Sequence, residues 1–287
     1  MQLHKLTSTD GFIVFDLDDA PAVGVVRLAP KVLRDGAELL ARSTTYAAAS
    51  FGLRVRGGSG AINAKPDARD EAVQAFVAEV AELVESERWL PGPGLGVTAD
   101  DLAPLPRAEQ RAKAFDQTAT GESAVAAAAG LLGSLEGRRV ALVGSGPVVE
   151  AAAAAASAQG ASPEPQASMD ADCDVLLVAG KAGVLEHDLA ATVKAKAVVP
   201  LSPVPVTARA LAVLGRAGAV VVPDFLSTAA PLLAAFDPDG GDPIERVRAA
   251  VANLAGEGTN LWMAACVRAE EFLRTWQPEL PFGRPLA

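Results

Sequence analysis

Residues 139–144 (RVALVG) form a near-continuous apolar run that leads straight into Gly144-Ser145-Gly146 and then into the alanine-rich stretch 148–159. Buried strand, Gly-x-Gly turn and helix, in that order, open a dinucleotide-binding βαβ unit. The first glycine makes the tight turn, and the second lets backbone amides approach a pyrophosphate at the helix N-terminus. Gly144 and Gly146 are therefore the candidate cofactor-binding residues. Val149 stands at the third glycine position, and Pro147 has no N–H to offer a phosphate. Further apolar strands are expected at 174–179, 197–201 and 219–222, with helical stretches between them. This alternation predicts an open, parallel α/β sheet.

The unit is cut short. A βαβ crossover takes about 30 residues or more, and a ribose-binding acid is expected at the end of the second strand. Here Gly160 is followed by ASPEPQASMDAD and then at once by the next buried strand at Cys173. One poor strand fits in that gap, with Pro163 and Pro165 working against it. Glu164 is the one acid near the expected place, and its alternative role is that of a solvated loop acid. The adenosine side of a nucleotide pocket reads as deleted.

The preceding half is strands with helices. Residues 12–18 and 22–28 read as strands, and 30–49 as a helix ending near Ser50 and Gly52. Residues 53–62 read as strand, glycine turn, strand. Between 67 and 87, Ala72, Val73, Phe76, Val77, Val80, Leu83 and Val84 make one apolar stripe with acids opposite, an amphipathic helix. A Pro/Gly loop is expected at 91–96, a helix at 123–134, and a mostly helical tail over 243–276, interrupted around 256–259. Three units are predicted: a substrate and dimerisation domain over 1–120, a shortened Rossmann-like domain over 121–240, and a C-terminal helical segment over 241–287 that packs back.

With 287 residues, half of them apolar, the chain can bury sizeable cores. A net charge of -10 argues against nucleic acid or an anionic membrane as partner, since both require a concentrated positive field. Cys173 and Cys266 lie in apolar contexts and read as buried thiols of a reducing, cytoplasmic compartment. His4 and His187 are isolated from each other and from any cysteine or acid cluster, so no metal site is expected.

Residues 44–62 (TTYAAASFGLRVRGGSGAI) resemble the substrate-domain signature of the glutamate/leucine/phenylalanine/valine dehydrogenases, about TYKAAxAGLPLGGGKAxI. Thr45, Tyr46, Gly52, Gly57, Gly58 and Ile62 match the frame. The resemblance is collinear through Gly24-Val25-Val26-Arg27, Gly94-Leu95-Gly96-Val97, Ala119-Thr120-Gly121, Cys173-Asp174-Val175, Lys194-Ala195-Lys196 and Pro223-Asp224-Phe225. It implies a two-domain NAD(P)-dependent fold, oxidative deamination of amino acids, and a homo-oligomer built through the N-terminal domain.

It also implies where the chemistry would sit, and there the residues differ. The lysine that holds the substrate carboxylate falls on Ala47, the catalytic lysine on Ser59, and the acid/base aspartate on Gly94. A site asparagine falls on Thr228, and Ser202-Pro203-Val204-Pro205 replaces A-N-N-Q. No catalytic residue is expected, and the resemblance implies NAD(P) where the shortened nucleotide half argues for no cofactor. The expectation is a pseudoenzyme kept for binding or assembly. The alternatives are a residual NAD(P)-dependent oxidoreductase on an amino or keto acid, and a small-anion binding protein. The last would use Arg27, Arg54, Arg56, Ser59 and Thr120, with the amides of the glycine turn as an anion nest. The plainer reading of Arg54 and Arg56 is an edge strand carrying two solvated side chains.

Overall fold

A computed structural model describes residues 1–257, 260–280 and 283–287. The first half builds a five-stranded sheet of order β1-β2-β4-β3-β5, from β1 (Gln2–Lys5), β2 (Gly11–Phe15), β3 (Ala22–Ala29), β4 (Arg56–Asn63) and β5 (Trp89–Gly92). β2 runs antiparallel to β4, whereas β3 is parallel to both β4 and β5. Helix α1 (Arg34–Ser50) covers one face of this sheet. Helix α2 (Arg69–Glu85) covers the other, burying Ala72, Val73, Phe76, Val80 and Val84 against Ile13, Phe15, Val26, Ile62 and Trp89. That is the apolar stripe read from the sequence, with Val77 and Leu83 only partly buried at its margin.

The expected strand, turn, strand over 53–62 is instead one continuous strand, β4, at the centre of the sheet. Its glycines serve packing. A Cβ on Gly57 would run into the carbonyl of Ala41 in α1, and one on Gly58 would lie 2.9 Å from the Trp89 indole nitrogen. The Gly57 N–H donates to Thr45 Oγ1 at 2.9 Å, which locks the helix to the strand. The expected Pro/Gly loop begins later than read, because residues 89–92 pair with β3. β1, an exposed edge strand, has no apolar pattern and was not legible.

Helices α3 (Ala108–Ala114) and α4 (Gln117–Leu132) lead to the second sheet. Asp116 caps α4 by accepting from the Thr118 and Ala119 amides. The alanines and glycines of α4 let it pass between neighbours. Gly121 abuts the backbone of α5 (Pro147–Ala158), and Gly130 that of α10 (Pro243–Gly256). The expected division at 120/121 thus falls inside α4.

The second sheet is parallel throughout, of order β10-β9-β8-β6-β7. It comprises β6 (Arg139–Val143), β7 (Ser162–Pro165), β8 (Val175–Val178), β9 (Ala197–Pro200) and β10 (Val220–Val221). One face packs on α6 (His187–Ala190) and α7 (Ala208–Arg216), and the other on α4, α5 and α8 (Asp224–Ser227) through α10. α9 (Ala230–Phe236) packs on α3. Helix α11 (Leu261–Leu273) returns to α1, where the Tyr46 hydroxyl donates to Glu270. The tail is interrupted between Gly256 and Leu261 as expected, although Gly258 and Thr259 themselves lie outside the described residues. Cys173 and Cys266 are both buried and unbridged.

Candidate functional site

The two sheets meet at a cleft of about 360 Å³. α1 contributes Leu40, Ser43, Thr44 and Ala47; β3 and β4 contribute Val25, Gly58 and Ser59. Thr120 comes from α4, Ser202 and Pro203 from the end of β9, and Phe225 and Thr228 from α8 and the residue after it. Ala47, Ser59, Thr120, Ser202 and Thr228, which the resemblance placed at a site, are therefore brought to one cavity by elements far apart in sequence. Among the described residues, no lining side chain is charged.

Ser59 points from β4 toward α1 and is 1 % exposed, yet its Oγ has no hydrogen-bond partner. Ser43 is engaged: its hydroxyl donates to Asp224 Oδ2 at 2.6 Å, and the Val204 amide donates to the same oxygen at 2.9 Å. Burial pushes the Asp224 carboxyl up to about 6, against the opposing pull of Ser43 and the backbone amides. In the sequence Asp224 stands out only as part of Pro223-Asp224-Phe225. Neither it nor Ser43 carried a signal of its own, because their pairing spans 181 residues.

Gly94 lies beside the cleft, next to the lining residue Pro93. A Cβ there would come 2.5 Å from the Val26 carbonyl oxygen and 3.2 Å from Val25 Cβ. This position has no side chain, and β3 leaves no room for one.

The arginines do not converge. Arg54 precedes β4, and its guanidinium stacks over the Trp276 ring. Arg56 is buried on β4, 4.7 Å from the Phe15 ring centre, and donates to the Leu17 carbonyl. Arg27 turns from Gly94 toward Gly36 at the start of α1, and burial lowers its guanidinium pKa. None of the three lines the cleft, and with β4 continuous there is no glycine nest. The solvated edge-strand reading fails as well, since β4 is central and Arg56 is buried.

Gly144 and Gly146 close β6 and cap α5 with φ of +108° and +101°. Gly144 also approaches Ala179 at the end of β8, so a Cβ would meet that residue's carbonyl oxygen at 2.9 Å. This is the switch point where a doubly wound sheet binds its nucleotide. The surroundings fit a dinucleotide poorly. Pro147 removes one amide from the helix N-terminus, and Glu150 puts an acid in its first turn. β7 is the sheet edge, so among the described residues no strand lies beyond it where the 3-2-1-4-5-6 order has its third. Glu164 sits opposite Ala141, exposed and short of the strand end, and the neutral Gln166 follows that end. The prolines in β7 are tolerated because only one of its sides is paired.

Among the described residues, no group of His, Cys, Asp or Glu is placed to hold a metal ion, and no helix is long and apolar enough to cross a membrane. No family model and no curated protein matches the sequence.

Solved structures do match. The hetero-hexameric glutamate dehydrogenase of Thermus thermophilus in its Leu-bound form superposes with a TM-score of 0.75 at 23 % identity, over 93 % of this chain and 84 % of that one. L-tryptophan dehydrogenase of Nostoc punctiforme gives 0.67 at 19 %, over 96 % and 95 %. Glutamate dehydrogenase of Peptoniphilus asaccharolyticus gives 0.68 at 18 %, over 94 % and 87 %. The chain has the two-sheet fold of the glutamate and tryptophan dehydrogenases.

Proposed function

We propose that this chain is a diverged member of the amino-acid dehydrogenase family that no longer deaminates and is kept for binding a small molecule and for assembly. The observation that carries this reading is the wholly uncharged cleft at the place where the sheets meet. Oxidative deamination requires a cation to polarise the carbonyl and a carboxylate to move protons to and from water. Ser59 supplies no charge, Gly94 supplies no side chain, and Ala47 supplies nothing to hold a carboxylate.

Residence of NAD(P) is not part of the proposal, because the residues around Gly144 and Gly146 do not fit it. A fluorescence titration tests this. After inner-filter correction, NADH and NADPH are expected to give no saturable change in protein or nucleotide emission, and saturable micromolar binding would return the residual-oxidoreductase reading. The domain division at 120/121 is retained as a proposal with α4 as the shared helix.

Assembly is proposed through the N-terminal domain, as a homo-oligomer. Edge strand β1 is exposed at all four residues and, among the described residues, pairs only with β2, so its outer N–H and C=O groups are open to a second strand. Sedimentation velocity at tens of micromolar is expected to give a multimer, and a monomer at that concentration contradicts the assembly reading.

A further inference from the structure

Resting on the reading that this cleft binds without deaminating, its polar groups specify a ligand class. Ser43 and Ser59 face the cleft from α1 and β4 in complementary states. The Ser43 proton is committed to Asp224, so toward the cleft this hydroxyl offers only lone pairs. Ser59 Oγ is buried and without a partner, so it has a proton to donate. A buried hydroxyl left unsatisfied is unfavourable, which marks Ser59 as waiting for an acceptor.

The rest of the lining opposes charge. Val25, Leu40, Phe115, Phe225 and Leu232 give apolar walls, and the lining hydroxyls of Thr44, Thr120, Ser202 and Thr228 already donate to the carbonyls of Leu40, Asp116, Gly180 and Asp224. Gln117 adds a neutral amide, and among the described residues no lining cation or anion is present to replace the hydration that a carboxylate or ammonium would lose. The Asp224 carboxyl behind Ser43 would further repel an entering carboxylate.

We propose that the cleft binds a small uncharged molecule with a carboxamide-like head, whose C=O accepts from Ser59 and whose N–H donates to Ser43, and an aliphatic tail against the apolar walls. A volume of about 360 Å³ suits a ligand of that size. A zwitterionic amino acid or a keto acid is excluded by the same chemistry.

The test is isothermal titration of the full chain at pH 7.5 with 4-methylpentanamide and with 4-methylpentanoate, which have the same shape and differ in charge. The amide is expected to bind at least ~10-fold more tightly than the carboxylate. Ser59→Ala is expected to weaken the amide ~5–30-fold, the range for a lost hydrogen bond to a buried partner. The variant should melt no lower than the parent, since it removes an unsatisfied group. Equal or tighter binding of the carboxylate, no amide binding at millimolar concentration, or an unchanged amide affinity in Ser59→Ala each overturns the ligand class. None of these touches the non-catalytic reading, which fails only if an amino acid reduces a pyridine nucleotide.

Discussion

Replacing Arg42 by methionine, or Asp16 by leucine, is expected to cost about 3–5 kcal/mol in chemical denaturation, and combining the two is expected to restore most of that loss. The two side chains form the most deeply buried ion pair among the described residues. Arg42 Nε lies 2.7 and 2.8 Å from the two Asp16 oxygens, and Nη2 lies 2.7 Å from Oδ1. Asp16 is 1 % exposed and Arg42 6 %. Removing one partner strands a charge where water cannot replace it, whereas removing both substitutes apolar contacts for a pair whose desolvation already offset much of its attraction. Arg42 Nη1 also donates to the Gly283 carbonyl at 2.6 Å, so recovery in the double variant stops short of complete. The double-mutant cycle should show a coupling of at least ~2 kcal/mol. Additive single losses would mean that the pair is a bystander.

Gly57→Ala is expected to be comparably damaging, at more than ~3 kcal/mol, because the added methyl collides with the Ala41 backbone rather than with a side chain that can turn away. β4 and α1 cannot separate to admit it without breaking the bond from the Gly57 amide to Thr45. The same closeness brings Ser59 and Ser43 into one cleft, so the variant should also lose any ligand response. Gly215→Ala is the control. Gly215 lies in α7 with open space where its Cβ would be, and alanine there should stabilise by ~0.5–1 kcal/mol. A Gly57→Ala protein within ~1 kcal/mol of the parent would show that the strand and helix are not in the register described.

What the sequence made legible was whatever repeats locally. The α2 stripe, the apolar strand leading to Gly144, and the cramped segment after Gly160 follow from periodicity and length, and each appears in the structure. The glycines of 57–60 were misread because glycine serves two purposes, a turn and a close approach, and composition does not separate them. Only the position of β4 between β2 and β3 makes packing the answer. The arginine reading failed with it. Arg56 does share a strand with Ser59, but residues 56 and 59 point to opposite faces, and Arg54 lies outside the strand altogether.

The cleft was half legible. Ala47, Ser59, Thr120, Ser202 and Thr228 were found through a resemblance. Ser43 and Asp224 were missed as a pair because they acquire meaning only when α1 meets α8. The charge-free character of the cleft was likewise invisible, since arginines adjacent in sequence turn away from it in space. Gly94 is wedged against β3, so placing a carboxylate there would require moving a strand as well as changing a residue.

The most direct test of the central claim, that the dehydrogenase shell persists here without its proton-moving groups, is steady-state reduction of NAD⁺ and NADP⁺ by purified protein over the full set of L-amino acids. A general acid or base is worth about 10²–10⁴-fold in rate, so a chain that has lost both, as proposed, should give no reduction above the protein-free background. Turnover with any of these substrates at an ordinary enzymatic rate, about 1–10³ per second, would contradict the claim.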